Sequence, residues 1–263
     1  MRLDVWLVDR GLAASREKAQ ALVMAGRVRV NGAPAKKAGS PVREDAAVEV
    51  LPGPEHVGRG AVKLSGALDV LGVDPGGKVA VDVGASTGGF TEVLLARGAA
   101  RVYAVDVGRG QIHEKIRADP RVIVLERTNA RHLSPRAVPE PCGVATLDVS
   151  FISVRKVLPA LRSVLAPAAD VVALVKPQFE LGRGEVGRGG IVRDPERHLQ
   201  ALREVAAAAL SEGTYVVAGA CPSPIAGMEG NREFFLHLRP GGGGLAALAP
   251  AALDAVLEKA VRG

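Results

Sequence analysis

Hydrophobic and polar residues follow two different spacings along residues 1–51. Apolar residues around Leu7 recur at helical spacing, and Ser15 can cap a second helix of the same kind. Val28–Val30 then has the alternation of a strand, and Asn31–Gly32 after it is a strong hairpin signal. With a further strand over residues 47–51, the pattern predicts a compact α+β unit of two helices followed by short strands.

A different pattern begins after a segment that has the composition of a linker. Residues 52–60 are rich in glycine and proline, so we expect domains at residues 1–52 and 61–263 and a linker at residues 53–60. In the second domain, apolar runs alternate with helical stretches, which is typical of a Rossmann-like, doubly wound α/β sheet. The predicted strands are Val79–Val83, Arg101–Val105, Val122–Leu125, Val144–Leu147, Val171–Val175, Tyr215–Gly219 and Phe234–Leu238.

Composition and charge narrow the choice of partner. The chain of 263 residues is 48% hydrophobic and has a formal net charge of +6 and a pI of about 9.6. This balance favours an anionic partner, with nucleic acid first, although a mildly basic enzyme without a polymer partner is an alternative. Aromatic residues make up only 3% of the chain, which argues against extensive stacking of bases.

The cysteines and the apolar runs indicate the cellular compartment in which the protein functions. Cys142 and Cys221 are far apart and are the only cysteines, so we expect neither a metal site nor a disulfide framework. The charged N-terminus does not have the form of a secretory signal, and no apolar run reaches the roughly 18 residues of a membrane span. We therefore expect a cytoplasmic protein, and nothing in the sequence requires more than a monomer.

The stretch from Val79 to Phe90 combines a buried strand, a glycine-rich turn and the start of a helix. Ser86 replaces the second glycine of the dinucleotide fingerprint, and no Gly-Lys-Ser/Thr follows, so neither a dinucleotide site nor a P-loop is predicted. The stretch resembles the first motif of S-adenosylmethionine (SAM) methyltransferases; an ordinary glycine turn is the alternative. The residues that this resemblance assigns to the cofactor site are Asp82, Gly84, Ser86, Thr87, Gly88, Gly89 and Phe90.

Two further polar residues follow predicted strands and are candidates for the same cofactor. Asp106 ends the second strand, where a carboxylate can accept hydrogen bonds from both ribose hydroxyls. Asn129 follows the third strand and can contact adenine or ribose, although a turn asparagine is an equal alternative. Since sheets of SAM methyltransferases often end in antiparallel strands, we expect the last two strands to be antiparallel.

The N-terminal unit resembles a known RNA-binding domain. Its segments Leu3-Asp4-x-Trp6-Leu7, Ser15-Arg16-x-x-Ala19 and Gly26-x-Val28-x-Val30-Asn31-Gly32 are similar to those of the S4 domain. The resemblance implies that a basic helical face contacts RNA phosphates, whereas a solvated charged face is the alternative. The residues predicted to bind RNA are Arg2, Arg16, Lys18, Arg27, Lys36 and Lys37.

Four charged residues of the second domain lie within motifs of another family. Lys63, Asp148, Lys176 and Glu233 match in order the Lys-Asp-Lys-Glu tetrad of the FtsJ-type ribose 2′-O-methyltransferases. Asp148, also a candidate for the cofactor site, and Lys176 each end a predicted strand, where an open α/β sheet binds its ligands. Each of the four alone could form a surface ion pair, but the ordered set predicts catalysis.

The chemistry of a ribose 2′-hydroxyl explains these residue types. A protonated hydroxyl is a poor nucleophile, and the positive charge of Lys63 can favour a neutral Lys176 amine that takes its proton. Asp148 and Glu233 would then hold the two lysines in place. Alternatively, Lys176 mainly aligns the oxygen, because SAM is already a strong electrophile and positioning can supply much of the rate.

An S4-like unit followed by an FtsJ-type domain resembles the TlyA family, whose members are also named hemolysin A. Membership implies 2′-O-methylation of cytidine in ribosomal RNA, and the short N-terminus favours the large-subunit RNA over an additional small-subunit target. Arg59 and a mobile glycine-rich loop over residues 182–190, with Arg183 and Arg188, are expected to contact RNA. A pore-forming hemolysin, a non-catalytic RNA-binding factor and a small-molecule O-methyltransferase are the rival functions.

Overall fold

The computed structural model describes residues 1–24, 26–51, 56–182, 184–227, 230–242 and 247–263. The chain forms two compact units, Met1–Glu55 and His56–Gly263. Residues 53–55 of the expected linker lie outside the described residues, and the second unit takes in the remainder from His56 onward. The domain bounds of 1–52 and 61–263 therefore stay a prediction.

The N-terminal unit contains two helices and a small antiparallel sheet. Its elements are α1 (Leu3–Asp9), α2 (Arg16–Met24), β1 (Val28–Val30), β2 (Ala33–Pro34) and β3 (Val48–Val50), and the strand order is β2-β1-β3. Ser15 caps α2 as expected, since its Oγ accepts a hydrogen bond from the backbone N–H of Lys18 at 3.3 Å. Asn31 and Gly32 have φ of 51° and 77°, the conformation that a tight two-residue hairpin requires.

The second unit alternates strands with helices. Its strands are β4 (Val79–Val83), β5 (Arg101–Val105), β6 (Val122–Leu125), β7 (Cys142–Leu147), β8 (Leu165–Val175), β9 (Tyr215–Pro222) and β10 (Phe234–Pro240). Its helices are α3 (Gly60–Leu71), α4 (Gly89–Ala96), α5 (Glu114–Arg117), α6 (Leu158–Arg162), α7 (Pro177–Glu180), α8 (Pro195–Leu210) and α9 (Pro250–Arg262). Among the described residues, no helix is both long enough and apolar enough to cross a membrane.

The strands of this unit form a sheet in the order β6-β5-β4-β7-β8-β10-β9. From β6 to β8, neighbouring strands are parallel, while β10 is antiparallel to both β8 and β9, as expected. The two faces of the sheet bury alternate residues: Val81 packs among residues of α6, α8 and α9, and Ala80 packs with residues of α3 and α4. The predicted Rossmann-like α/β fold is confirmed.

The topology brings the carboxyl ends of β4, β7 and β8 and the amino end of β10 to one edge of the sheet. The chain moves outward from β4 to β6 and then returns to β7 on the other side of β4, which creates a crevice at the carboxyl ends of β4 and β7. Asp148 follows β7 and Lys176 follows β8. Because Phe234 of the antiparallel β10 pairs with Val175, Glu233 also lies at this edge.

Candidate active site

The glycine-rich turn between β4 and α4 has a conformation that depends on its glycines. Gly84 and Gly88 have φ of 84° and 95°, and Ser86 between them has φ of 48°. A Cβ on Gly84 would come within 2.3 Å of the carbonyl oxygen of Asp148, so no side chain fits there. The turn is thus packed directly against the end of β7, next to the predicted catalytic Asp148.

Asp106 fixes the other side of the turn. Its Oδ2 accepts a hydrogen bond from the N–H of Ser86 at 2.8 Å, and its Oδ1 accepts one from the N–H of Gly108 at 2.7 Å. Each carboxylate oxygen can accept more than one hydrogen bond, so Asp106 keeps acceptor capacity for ligand hydroxyls. The carboxylate of Asp106, directly after β5, is therefore held in place before a ligand binds.

Asp82 has a structural place beneath this turn. Its side chain is fully buried and accepts hydrogen bonds from the hydroxyls of Thr91 at 2.6 Å and Thr146 at 2.9 Å, which links β4 to α4 and β7. Burial raises the pKa of Asp82 to about 6, although the two hydroxyls oppose this shift. Asp82 therefore holds β4, α4 and β7 together next to the turn.

A cavity of about 490 Å³ opens beside the turn. Asp106 and Asn129 are among its polar lining residues, and Val83, Val105 and Val149 are among its apolar ones. Asn129 caps a short 3₁₀ turn, since its Oδ1 accepts from the N–H of Arg131 at 3.1 Å, and it faces the cavity at the same time. The volume of the cavity lies within the range of about 300–1,000 Å³ that is usual for sites of small ligands and cofactors.

Two lysine–carboxylate ion pairs lie at the edge of the sheet. Lys63 Nζ is 2.5 Å from Glu233 Oε2, and both side chains are buried. Lys176 Nζ is 2.6 Å from Asp148 Oδ1 and donates a hydrogen bond to Ser150 Oγ at 2.8 Å. The predicted tetrad residues thus form two pairs, and each carboxylate holds one ammonium group in place.

These pairs line a second cavity, of about 670 Å³, that joins the first one. Both cavities are lined by Gly84, Ser86, Asp148, Ser150 and Phe151, while all four tetrad residues line the second cavity. A ligand in the first cavity can therefore meet a ligand in the second beside Asp148. This arrangement suits the transfer of a group between two bound molecules, with charged side chains at the point of transfer.

The other predicted cofactor residues have different positions. Thr87 lines the second cavity, and Thr87, Gly89 and Phe90 line a smaller neighbouring one of about 90 Å³. Asp82 and Gly88 are not among the residues that line these cavities. A Cβ on Gly88 would meet Ile116 at 3.0 Å, so this glycine permits close packing of the turn.

Phe151 and Gln178 are site residues that sequence reasoning did not single out. Phe151 is 92% exposed, has φ of 63°, and its ring centroid lies 5.1 Å from that of Phe179. The buried carboxylate of Glu180 holds the loop of Phe151, because it accepts hydrogen bonds from Ser153 Oγ and the N–H of Val154. Phe151 and Gln178 lie in the sequence motifs that contain Asp148 and Lys176, and this closeness in sequence was the signal that could have identified them.

The glycine-rich segment after α7 contributes to the same cavity through Gly190. Arg183 lies outside the described residues, and the side chain of Arg188 is likewise not described. Residues 188–190 form a single 3₁₀-like turn in which Gly189 has a non-helical φ of 74°. Asn231 joins this segment to the residues just before β10, since it accepts from the N–H of Val192 at 3.0 Å and donates to the carbonyl of Gly190 at 2.9 Å.

In the N-terminal unit, two predicted RNA-binding arginines converge on one buried carboxylate. Arg2 Nη2 and Arg16 Nη2 lie 3.0 and 3.3 Å from Asp4 Oδ2, and Gln20 also donates to this oxygen. Hydrogen bonding from Arg2 holds the pKa of Asp4 well below its usual range. The side chains of Arg2 and Arg16 remain more than half exposed, so this anchor fixes them at the surface.

The remaining predicted RNA-binding residues are more varied. Lys18, Lys36 and Lys37 are exposed on the N-terminal unit. Arg27 donates to the carbonyl of Leu51 through Nε and Nη2, so it supports the small sheet. Arg59, in the second unit, lines the second cavity and donates to the carbonyl of Ala226 at 2.8 Å.

Comparison with known proteins agrees with this geometry. Residues 56–240 match the FtsJ-like methyltransferase family, and residues 1–48 match the S4 domain. The chain is 50% identical to the 16S/23S rRNA (cytidine-2′-O)-methyltransferase TlyA of Mycobacterium tuberculosis over 240 residues, which are 90% of this chain and 89% of that protein. It is 32% identical to the 23S rRNA (cytidine-2′-O)-methyltransferase TlyA of Campylobacter jejuni over 183 residues, 69% of this chain and 70% of that one.

A solved structure extends the similarity to the whole fold. A Streptococcus thermophilus protein with a provisional hemolysin name is 40% identical and superposes with a TM-score of 0.73, covering 99% of this chain and 95% of that one. Both domains and their order are thus shared with known relatives. The chain therefore belongs to the TlyA family of methyltransferases, in which an S4 domain precedes an FtsJ-like methyltransferase domain.

Proposed function

We propose that this protein transfers the methyl group of SAM to the ribose 2′-hydroxyl of a cytidine in ribosomal RNA. The observation that carries the proposal is that two ion pairs, Lys63–Glu233 and Lys176–Asp148, line the second cavity, and that Asp148 also lines the first. The two TlyA relatives are named as cytidine-2′-O-methyltransferases of ribosomal RNA, which supports the substrate. Both names include the 23S RNA, so we propose the large-subunit RNA as the substrate.

The residues of the first cavity fit SAM. Asp106 offers acceptors for ribose hydroxyls, the valines offer an apolar wall for the adenine, and Asn129 offers a polar edge. The turn from Gly84 to Gly88 leads into the N-terminus of α4, where free N–H groups favour a carboxylate such as that of the methionine portion. When bound, SAM supplies a methyl group on a positively charged sulfur, and the sulfur keeps the electron pair of the broken bond.

The second cavity would receive the target ribose. Lys176 would donate a hydrogen bond to the 2′-oxygen, and Asp148, beside both cavities, would keep the ammonium group aimed at it. Lys63, held by Glu233, adds positive charge where the hydroxyl loses its proton. Because Lys176 Nζ is already held between Asp148 and Ser150, we propose that Lys176 orients the oxygen and that the proton passes to water.

The N-terminal unit would hold the RNA. Arg2 and Arg16, fixed by Asp4, and the exposed Lys18, Lys36 and Lys37 form a basic surface suited to phosphates. Exposed Phe151 at the mouth of both cavities offers an aromatic face for a base next to the target. We propose that the enzyme acts as a monomer in the cytoplasm, where ribosomal subunits are available.

The decisive experiment transfers labelled methyl groups from SAM to separated ribosomal subunits from a strain that lacks this gene. Reverse transcription then maps the 2′-O-methylated nucleotide. One labelled cytidine in the large-subunit RNA supports the proposal, and a second site in the small-subunit RNA would widen its substrate range. Absence of transfer to both subunits and to the intact ribosome, with SAM binding preserved, would overturn the proposed activity.

A further inference from the structure

Gln178 has an unmet hydrogen bond inside the proposed RNA-binding cavity. It belongs to α7, two residues after Lys176, and its side chain lines both the second cavity and an adjoining hollow that Phe151 and Phe179 also line. Its Oε1 is buried and has no hydrogen-bond donor among the described residues. A buried carbonyl oxygen without a donor is costly, so a donor supplied by a ligand would relieve this cost.

The other side-chain oxygens beside the lysines already face positive charge. Asp148 and Ser150 face Lys176, and Glu233 faces Lys63. Gln178 differs from them, since its side chain lines the same cavity and its oxygen accepts no hydrogen bond from a lysine. A neutral carboxamide is also the kind of group that reads the edge of a base, since it both accepts and donates.

The chemistry of a nucleotide brings the base to this position. The carbon that bears the 2′-hydroxyl is bonded to the carbon that bears the base, so a hydroxyl at Lys176 leaves the base among the residues around Lys176. Phe179 follows Gln178 and has its ring 5.9 Å from Lys176 Nζ, which gives this part of the cavity an aromatic wall. A flat base between such residues would present its polar edge to the carboxamide.

We propose that Gln178 recognises the target cytosine through its exocyclic amino group, an inference that rests on the proposed function. The amino group donates to Oε1, and the side-chain amide of Gln178 donates to the adjacent ring nitrogen. Because a carboxamide can rotate by half a turn and also meet uracil, the test must remove the amino group instead of exchanging the base.

The test is a double-mutant cycle between the enzyme and the RNA. Wild type and Gln178→Leu are each assayed on RNA that carries cytidine at the mapped site and on RNA whose base there lacks the 4-amino group. For the wild type, loss of the amino group should lower kcat/KM about tenfold, the cost of one unpaired buried acceptor. For Gln178→Leu, kcat/KM with cytidine should fall by a similar factor, and loss of the amino group should cost nothing further.

Two further variants separate recognition from packing. Gln178→Glu keeps an oxygen acceptor but loses the amide donor, so it should be slower than wild type and still penalise the base without its amino group. Gln200→Leu changes a glutamine on α8 that bonds Glu185 and Glu204 outside these cavities, and it should keep the wild-type ratio between the two RNAs. Equal penalties in wild type and Gln178→Leu would overturn the inference.

The outcomes distinguish this inference from the proposed function. If the wild type methylates no cytidine, the function itself fails. If it methylates cytidine and the amino group has no effect, only the role of Gln178 fails. If Gln178→Leu turns over too slowly to assay, equilibrium binding of the two RNAs with S-adenosylhomocysteine replaces the rates, and circular dichroism reports whether the variant is folded. Equal affinities of Gln178→Leu for both RNAs, with unequal ones for wild type, support the inference.

Discussion

Lys176 is the side chain on which the proposed chemistry depends most. Its ammonium group lies against Asp148 and Ser150, with only a tenth of the side chain exposed. We expect Lys176→Ala to lower methyl transfer at least about 100-fold, the usual cost of losing one preorganised donor at the reacting oxygen, while SAM affinity stays nearly unchanged. Lys78→Ala is the matched control, because Lys78 pairs with Asp170 at the opposite end of the sheet. Single-turnover transfer and calorimetric titration of SAM measure the two effects.

The dependence on pH distinguishes the two roles of Lys176. A neutral lysine acting as a base would make the single-turnover rate rise about tenfold for each pH unit below its titration. An ammonium group that orients the oxygen predicts no such rise between about pH 6 and 9, and Lys176→Arg should retain part of the rate since arginine stays charged. A tenfold rise per unit that disappears in Lys176→Arg would contradict the orienting role.

Phe151 combines a strained backbone with an exposed aromatic ring. A φ of 63° disfavours a phenylalanine by about 1–2 kcal/mol, and burial does not repay this cost because the ring is 92% exposed. We therefore expect Phe151→Gly to be at least as stable as wild type in urea unfolding. The same variant should lower kcat/KM for RNA roughly tenfold, the value of one stacked base, without changing SAM affinity. Full RNA activity of the variant would show that the ring has no part in binding.

The sequence could predict the charged residues of the site but not Gln178 or Phe151. Asp148 and Lys176 end recognisable strands, and parallel strands must bring those ends to one edge. The positive φ of Phe151 and the missing donor for Gln178 arise from packing of the loops around the cavities, which leaves no periodic pattern. Likewise, no spacing rule indicates that Arg2 and Arg16 share Asp4.

At the scale of the elements, the cores of the strands of the second unit were predictable, whereas only some of the strand ends were. β4, β5 and β6 have the expected bounds because each is a short apolar run between turns. β8 begins at Leu165, six residues before the expected start, and its added part includes the exposed residues of the segment. Pairing with neighbouring strands decides such extensions, and the local sequence does not record that pairing.

Asp82 couples three elements, and its titration gives a prediction about stability. Its pKa is raised to about 6 in the folded protein, above the usual value of about 4 for an unfolded chain. The folded state therefore binds more protons between these values, so this carboxyl lowers the free energy of unfolding as the pH rises from about 4 to about 6. Above that window the loss is complete, and it amounts to at most about 3 kcal/mol.

Asp82→Asn removes this titration and keeps a side chain of the same shape that can bond the hydroxyls of Thr91 and Thr146. We expect the stability of the variant relative to wild type to increase as the pH rises from about 4 to about 6 and then to stay constant. Urea unfolding at several pH values measures this difference. A difference that does not change with pH would show that Asp82 is ionised throughout the window.

At the scale of the whole molecule, the residues proposed for catalysis and those proposed for RNA binding are distributed over the two compact units. The larger unit contains both cavities and all four tetrad residues, whereas the smaller unit contains the arginine pair anchored on Asp4. Composition alone predicted an anionic partner from the net charge of +6 but did not locate the surface. The structure supplies a reason for assigning phosphate binding to Arg2 and Arg16, since they are fixed and exposed together.

Substitutions in the smaller unit should therefore change RNA binding without changing the chemical step. We expect Arg2→Ala and Arg16→Ala each to raise KM for RNA with little effect on the single-turnover rate at saturation. Each should also reduce the slope of log affinity against log salt by about one, as expected for one lost phosphate contact. Arg43→Ala is the matched control, because Arg43 is an exposed arginine of the same unit that pairs only with nearby Asp45 among the described residues. If Arg43→Ala changed the salt slope as much as the other two, general charge rather than the anchored pair would hold the RNA.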